Sequence, residues 1–162
     1  MSPADPLVDE ALRGAAGGTV VAAGGDGTLH VVAQRLRRLG LLADAVLGLS
    51  PLGTGNDLAR TVGIPLDPRA TAAVVLSGRP RPLDLLVDDR GGVAVNAVHC
   101  GVGGVAVRHA APLEPWLGGR AVHVETGAIP CVADGDDCGS PVGPTWSVHP
   151  AAWRLLVPQP RP

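Results

Sequence analysis

Two glycine-rich turns constrain this chain more than any other feature. Gly24-Gly25-Asp26-Gly27-Thr28 and Pro51-Leu52-Gly53-Thr54-Gly55-Asn56-Asp57 each join a short apolar run to a stretch with helical patterning. Residues 19–23 are apolar, β-branched at their start and closed by Gly24-Gly25, which reads as a buried parallel strand. After Gly27, the residues Leu29, Val32, Leu36 and Leu39 recur at helical spacing, with Arg35, Arg37 and Arg38 in the last turn, where the helix dipole favours cations. Gly40 ends that helix. Residues 45–49 read as a second apolar strand, and 51–55 as a loop. Asn56 can cap a short helix over 57–62, which Gly63 stops. Asp67-Pro68 opens another helix, with Asp as cap and Pro at its first position, running to about Leu76. Residues 5–13 read as a short helix ahead of all this. Two such turns after successive parallel strands fall on one carboxyl edge, where open α/β sheets bind ligands.

The pattern changes after Arg79. Residues 83–87, a turn over 88–92 and residues 93–98 read as a β-hairpin, and 145–148 and 153–157 as strands. A further turn is read near 113–117. The expected architecture is α/β, with a parallel-sheet domain over 1–80 followed by a reduced, β-rich, sandwich-like part over 81–162. There are no internal repeats.

Composition narrows the chemistry. All 13 basic residues are Arg, the net charge is -2, and the aromatic residues are Trp116, Trp146 and Trp153 alone. A nucleic-acid module built on stacked aromatics in a basic groove is thereby excluded. So is any mechanism that needs a catalytic Lys or Tyr, including the Lys-bearing Walker loop. Cys100, Cys131 and Cys138 have no paired spacing, so they read as free thiols. His30, His99, His109, His123 and His149 have no metal-ligand spacing, and no residue is assigned as a metal ligand. The first sixteen residues carry Asp5, Asp9 and Glu10 and lack the apolar stretch of a signal peptide. The longest uncharged run, 91–107, holds five Gly and no Leu or Ile, short of a membrane span. The expectation is a cytoplasmic protein whose membrane contact, where it has any, is peripheral.

The first turn has the residue types of a phosphate cradle. Glycines let the backbone approach a phosphate, and the helix start supplies N–H groups and a favourable dipole. Asp26 sits where a carboxylate faces magnesium or a ligand hydroxyl, and Thr28 offers a hydroxyl. A tight turn without a ligand is the competing reading for either motif alone. For Asn56 that reading is a helix cap, and for Arg60 a solvated charge.

Together, GGDGTLHVV and PLGTGNDLAR resemble the catalytic domain of diacylglycerol kinases and related bacterial lipid kinases. The second motif separates this group from sphingosine and NAD kinases, which share the first. Leu83-Asp84-Leu85 and Val95-Asn96 with Gly101 resemble the start of the family's second domain. Residues 129–136 (IPCVADGD) resemble its DGE segment, and residues 148–158 its closing strand. Val95 stands where the family usually has Phe, and Asp136 where it has Glu.

The resemblance implies ATP bound at Gly24, Gly25, Asp26, Gly27 and Thr28 together with Gly53, Thr54, Gly55, Asn56 and Asp57. Mg2+ would balance the phosphates, and Asp136 would lie near nucleotide or metal. Asp134 would be the base that takes or orients the proton of a lipid primary hydroxyl, converting diacylglycerol to phosphatidic acid at a membrane surface. A solvated turn acid is the competing reading for Asp134. Relative to the family, a first strand ending in Asn-Pro is missing, as is a β-rich stretch on the order of a hundred residues before the DGE segment. The chain therefore reads as shortened at its start and within its second domain. A shortened sheet leaves an exposed pairing edge, open to a partner chain such as a second copy. Two other functions stay open: a catalytically inactive homologue that still binds nucleotide, and an NAD-kinase-like kinase of a small molecule.

Overall fold

The structure is a computed structural model and describes residues 6–100, 124–125, 131–137 and 145–160. The chain forms two compact units, Met1–Leu83 with Ala151–Pro162, and Asp84–Pro150. The sequence reading groups residues 151–162 with the later part, whereas the structure places them in the first unit.

The first unit carries α1 (Pro6–Gly14), β1 (Thr19–Gly24), α2 (Asp26–Arg38), β2 (Val46–Pro51), α3 (Asp57–Val62) and α4 (Pro68–Ser77). It also holds the start of β3 (Arg79–Asp88) and the end of β9 (Thr145–Val157). The α/β class expected from the strand-turn-helix repeats is present. β1 and β2 are parallel neighbours in register from Thr19↔Val46 to Gly24↔Pro51. On the other side of β2 lies β9, also parallel, paired at Leu47↔Leu155.

Burial explains the apolar runs. Ala22, Leu47, Leu49 and Leu155 are buried, with Leu29, Val32, Ala33 and Leu36 of α2, which packs on β1. The intervening residue Gly48 is also buried, and a Cβ there would lie 3.3 Å from Val21 and 3.5 Å from Val75 of α4. Thus β2 is enclosed on both faces, the pattern of a central parallel strand. β1 has no neighbour on its outer side among the described residues, and Val21 is 45% exposed.

Local chemistry sets the helix ends. Asp67 accepts the Ala70 N–H at 2.9 Å with Pro68 behind it, the cap that the Asp-Pro pair implies. Beyond α2, Gly40 takes a left-handed φ of 72°.

In the second unit, β3 turns back into β4 (Val93–Ala94), with Leu86↔Ala94 and Val87↔Val93 antiparallel. β5 (Val98–Cys100), β7 (Cys131–Ala133) and β8 (Asp136–Asp137) form a separate antiparallel sheet. β6 (Val124–Glu125) pairs with β9 at Val124↔Trp146. A single hairpin arm over 93–98 is not what forms. The arm breaks after Ala94, and the chain crosses to β7 by way of Asn96 and Ala97. The reason is Asp134, whose carboxylate accepts the N–H groups of Val95, Asn96 and Ala97 and so removes them from the β3 ladder. The two strands expected over 145–148 and 153–157 are one continuous strand, β9. Trp146 packs with Ala94 and Ala133 in a small core, flanked by Leu86 and Val98. The turn read near 113–117 lies outside the described residues, as do Gly101 and Cys138.

Candidate functional site

The parallel register Gly24↔Pro51 sets the two glycine turns side by side at the carboxyl ends of β1 and β2. They touch backbone to backbone. A Cβ on Gly53 would lie 2.5 Å from the Gly25 Cα, and one on Gly25 would lie 3.0 Å from the Gly53 Cα. Such distances exclude a side chain at Gly53 unless the turns part. A Cβ on Gly24 would collide with the Thr28 side chain, which folds over it. Gly27 differs, because a Cβ there would meet nothing within 4 Å. That glycine faces open space.

The first backbone donors of α2 lie beside this opening. Thr28 and Leu29 return their N–H groups to the Gly25 carbonyl at 3.0 and 3.2 Å. Asp26 and Gly27 precede them, and their N–H groups have no acceptor among the described residues. Free donors at the start of a 13-residue helix form an anion-attracting end.

Asp26 does not point away from the protein. Its carboxylate accepts the N–H of Asp57 at 2.9 Å and that of Leu58 at 3.1 Å. The residue expected to face metal or ligand therefore also caps α3 from the neighbouring turn. Asn56 holds the N-cap position in a left-handed conformation, φ 55°, but its side chain makes no cap bond. Its Oδ1 accepts the Gly53 N–H at 3.0 Å and its Nδ2 donates to the Gly53 carbonyl at 2.6 Å. Asn56 is 6% exposed and locks the second turn from within. The expected Asn56 cap is thus replaced by Asp26, and sequence spacing could not reveal a cap supplied from thirty-one residues away.

Gly55 lies between two carboxylates, with a Cβ there 3.4 Å from Asp57 Oδ2 and 3.7 Å from Asp26 Oδ2. Arg60, read from sequence as a solvated charge, donates its Nε–H to the Gly55 carbonyl at 3.2 Å. Thr54 is exposed. So is Leu52, at 63%, an apolar side chain next to the turn that the sequence reading did not single out.

Asp134 lies in the second unit, in the β7–β8 turn, with φ 50°. Its Oδ2 accepts from Val95 at 2.7 Å, and its Oδ1 from Asn96 and Ala97 at 3.0 Å each. Its own N–H closes the loop by donating to the Ala97 carbonyl at 3.0 Å. Asp136 begins β8, and its side chain is outside the described part. Among the described residues, no cluster of three or more His, Cys, Asp or Glu could hold a metal ion, and no helix is long and apolar enough to cross a membrane.

Residues 2–87 match the model of the diacylglycerol kinase catalytic domain. The chain is 42% identical over 114 residues to a protein of Stenotrophomonas maltophilia named "Probable lipid kinase YegS-like", covering 67% of this chain and 37% of that one. It is 44% identical over 117 residues to a protein of the same name from Pseudomonas aeruginosa, covering 71% and 37%. The chain thus spans little more than a third of the length of these relatives. A crystal structure of a diacylglycerol kinase from Bacillus anthracis has the same fold, with a TM-score of 0.65 at 18% identity, covering 86% of this chain and 75% of that one. The family match takes in both glycine turns and all the helices that carry them, and the chain belongs to the diacylglycerol kinase catalytic-domain family of lipid kinases.

Proposed function

We propose that this chain carries the ATP-binding edge of a lipid kinase that phosphorylates the primary hydroxyl of diacylglycerol. The observation that carries the reading is the open face at Gly27. Two glycine turns are packed as tightly as backbones allow, yet this one glycine has nothing against it. The adjoining N–H groups of Asp26 and Gly27 supply the donors that a phosphate needs.

Magnesium fits the same edge. Asp26 and Asp57 bring two carboxylates beside Gly55, and an ATP phosphate placed there would be repelled by both. Mg2+ is commonly held by one or two carboxylates plus substrate phosphates, with water completing its shell. Asp57 and Asp26 would hold it, and its charge would offset that of the phosphates.

For the transfer itself, the acceptor oxygen bonds to the γ-phosphorus as the bond to ADP breaks, and the hydroxyl proton passes to a base. Family resemblance supports Asp134 for that base. A second reading, nucleotide binding without transfer, is favoured by the three backbone N–H groups that its carboxylate already accepts.

Gly27→Ala tests the proposal. The added methyl meets no protein atom, so the variant should fold normally and lose magnesium-ATP affinity measured by calorimetry. Unchanged affinity would remove the phosphate cradle from Gly27. Transfer of labelled phosphate from ATP to diacylglycerol in mixed micelles separates the two readings.

A further inference from the structure

The ladder between β5 and β7 brings two cysteines together. In this antiparallel pair Val98 lies opposite Ala133, His99 opposite Val132 and Cys100 opposite Cys131. Cys131 is buried and outside any disulfide. About thirty residues separate the two in the chain, so spacing alone did not reveal the pairing.

Hydrogen bonding fixes the kind of position they hold. One step before the ladder, the Asp134 N–H donates to the Ala97 carbonyl at 3.0 Å, which marks 97 and 134 as a hydrogen-bonded pair. Hydrogen-bonded and non-hydrogen-bonded pairs alternate along antiparallel strands. The 98–133 pair is then non-hydrogen-bonded, 99–132 hydrogen-bonded and 100–131 non-hydrogen-bonded again. Cα atoms at such a pair lie ~4.5 Å apart, and a disulfide spans ~4.4–6.8 Å between Cα atoms. Opposed Cβ atoms lie ~4.5–5.5 Å apart, closest at non-hydrogen-bonded pairs, against ~3.5–4.5 Å in a disulfide. The bond therefore closes with little movement of either strand.

We infer that Cys100 and Cys131 form a reversible disulfide by exchange with a low-molecular-weight disulfide such as oxidised glutathione. One cysteine thiolate attacks a glutathione sulfur, forming a mixed disulfide and expelling the first glutathione thiolate. The other cysteine thiolate attacks the protein sulfur of that mixed disulfide, and the second glutathione thiolate leaves. Two protein thiols are oxidised, one glutathione disulfide is reduced, and the two thiol protons end on the released glutathione.

Position gives this bond its consequence. Asp134 follows β7 directly, and its carboxylate accepts the N–H groups of Val95, Asn96 and Ala97 just ahead of β5. The segments that these hydrogen bonds join at one end of the ladder would be joined covalently at the other. The bond also closes a loop of about thirty residues, which removes freedom from the opened chain and favours the closed ladder. Oxidation thus fixes the strand pair that places Asp134, and reduction releases it. The inference rests on neither ATP binding nor lipid transfer.

The test incubates the whole chain with oxidised glutathione under native conditions, followed by alkylation and non-reducing peptide mapping by mass spectrometry. A Cys100–Cys131 cross-link that dithiothreitol reverses, and that still forms in Cys138→Ser, supports the inference. Amide exchange gives a second readout. In the cross-linked protein the N–H groups of Val95, Asn96 and Ala97 should exchange about tenfold more slowly than in the reduced protein. Cys100→Ser treated in the same way should show no such slowing. Absence of a cross-link, a cross-link through Cys138 instead, or one that forms in urea alone overturns the pairing. Unchanged exchange in the cross-linked protein overturns its hold on the Asp134 turn.

Discussion

The carboxylate of Asp26 caps the helix that begins at Asp57, accepting its N–H at 2.9 Å and that of Leu58 at 3.1 Å. One side chain in the first glycine turn thereby fixes the second. The spacing between the turns is set by this link together with the Gly25–Gly53 approach. The carboxylate in this place thus has a structural role before any ligand arrives.

Asp26→Ala should therefore lower stability by ~1–3 kcal/mol, the scale of a lost helix cap with two acceptors. Asp26→Asn keeps one acceptor oxygen and should cost about half as much. Chemical denaturation measures both. If Asp26→Ala is as stable as the parent, the cap contributes nothing. Loss of ATP binding in Asp26→Ala is informative only beside that measurement.

Gly53→Ala places its methyl 2.5 Å from the Gly25 Cα, against backbone that cannot rotate away. The turns must part, at a cost of ~2 kcal/mol or more. Gly27→Ala, in a helix and in open space, should instead gain ~0.5–1 kcal/mol. Melting curves that rank these two variants in the opposite order would contradict the packing described.

Asn56 combines a left-handed backbone with two side-chain bonds to Gly53. Asn56→Ala loses all three advantages, and we expect a loss of ~2–4 kcal/mol. Asn56→Gly restores the backbone freedom and should recover about 1 kcal/mol of it. Equal stability of the two variants would show that the conformation carries no cost.

Asp134→Asn replaces an acceptor-only group with an amide whose NH2 must face N–H donors. The amides of Val95, Asn96 and Ala97 should then exchange with solvent about tenfold faster or more, as each lost bond to a charged acceptor is worth ~1.5–3 kcal/mol. Unchanged exchange rates at these amides would refute a pinning role. A drop in phosphoryl transfer in this variant points to a proton acceptor only where the exchange pattern is preserved.

Much of the first unit was legible in the sequence, because local signals there agree with one another. β1 and β2 are apolar runs closed by glycine or proline turns, and α4 announces itself by Asp67-Pro68. The adjacency of the two glycine turns followed from the parallel order alone. What escaped was every contact made across distance in the chain. The cap from Asp26 to α3 and the Gly25–Gly53 contact depend on register, which composition does not encode. In the second unit, alternation over 93–98 suggested one strand, but hydrogen bonds to Asp134, distant in sequence, divide it. Strand periodicity cannot foresee a competing acceptor.

β9 has a consequence for how the molecule is made. β2 is flanked on one side by β1, a near neighbour in the chain, and on the other by β9, about a hundred residues further on. Arg154 of that strand donates to the Ala43 carbonyl, 111 residues away. A nascent chain emerging from the ribosome can pair β1 with β2 early, but β2 gains its second neighbour only once the residues around Leu155 have emerged. During that interval Leu47 and Leu49 lie at an unpaired edge. Contacts of such long sequence separation slow folding and prolong exposure to aggregation. Pairing of β2 with β9 is thus expected to be a late event in folding, and a chaperone that shields β2 would act on the interval before it.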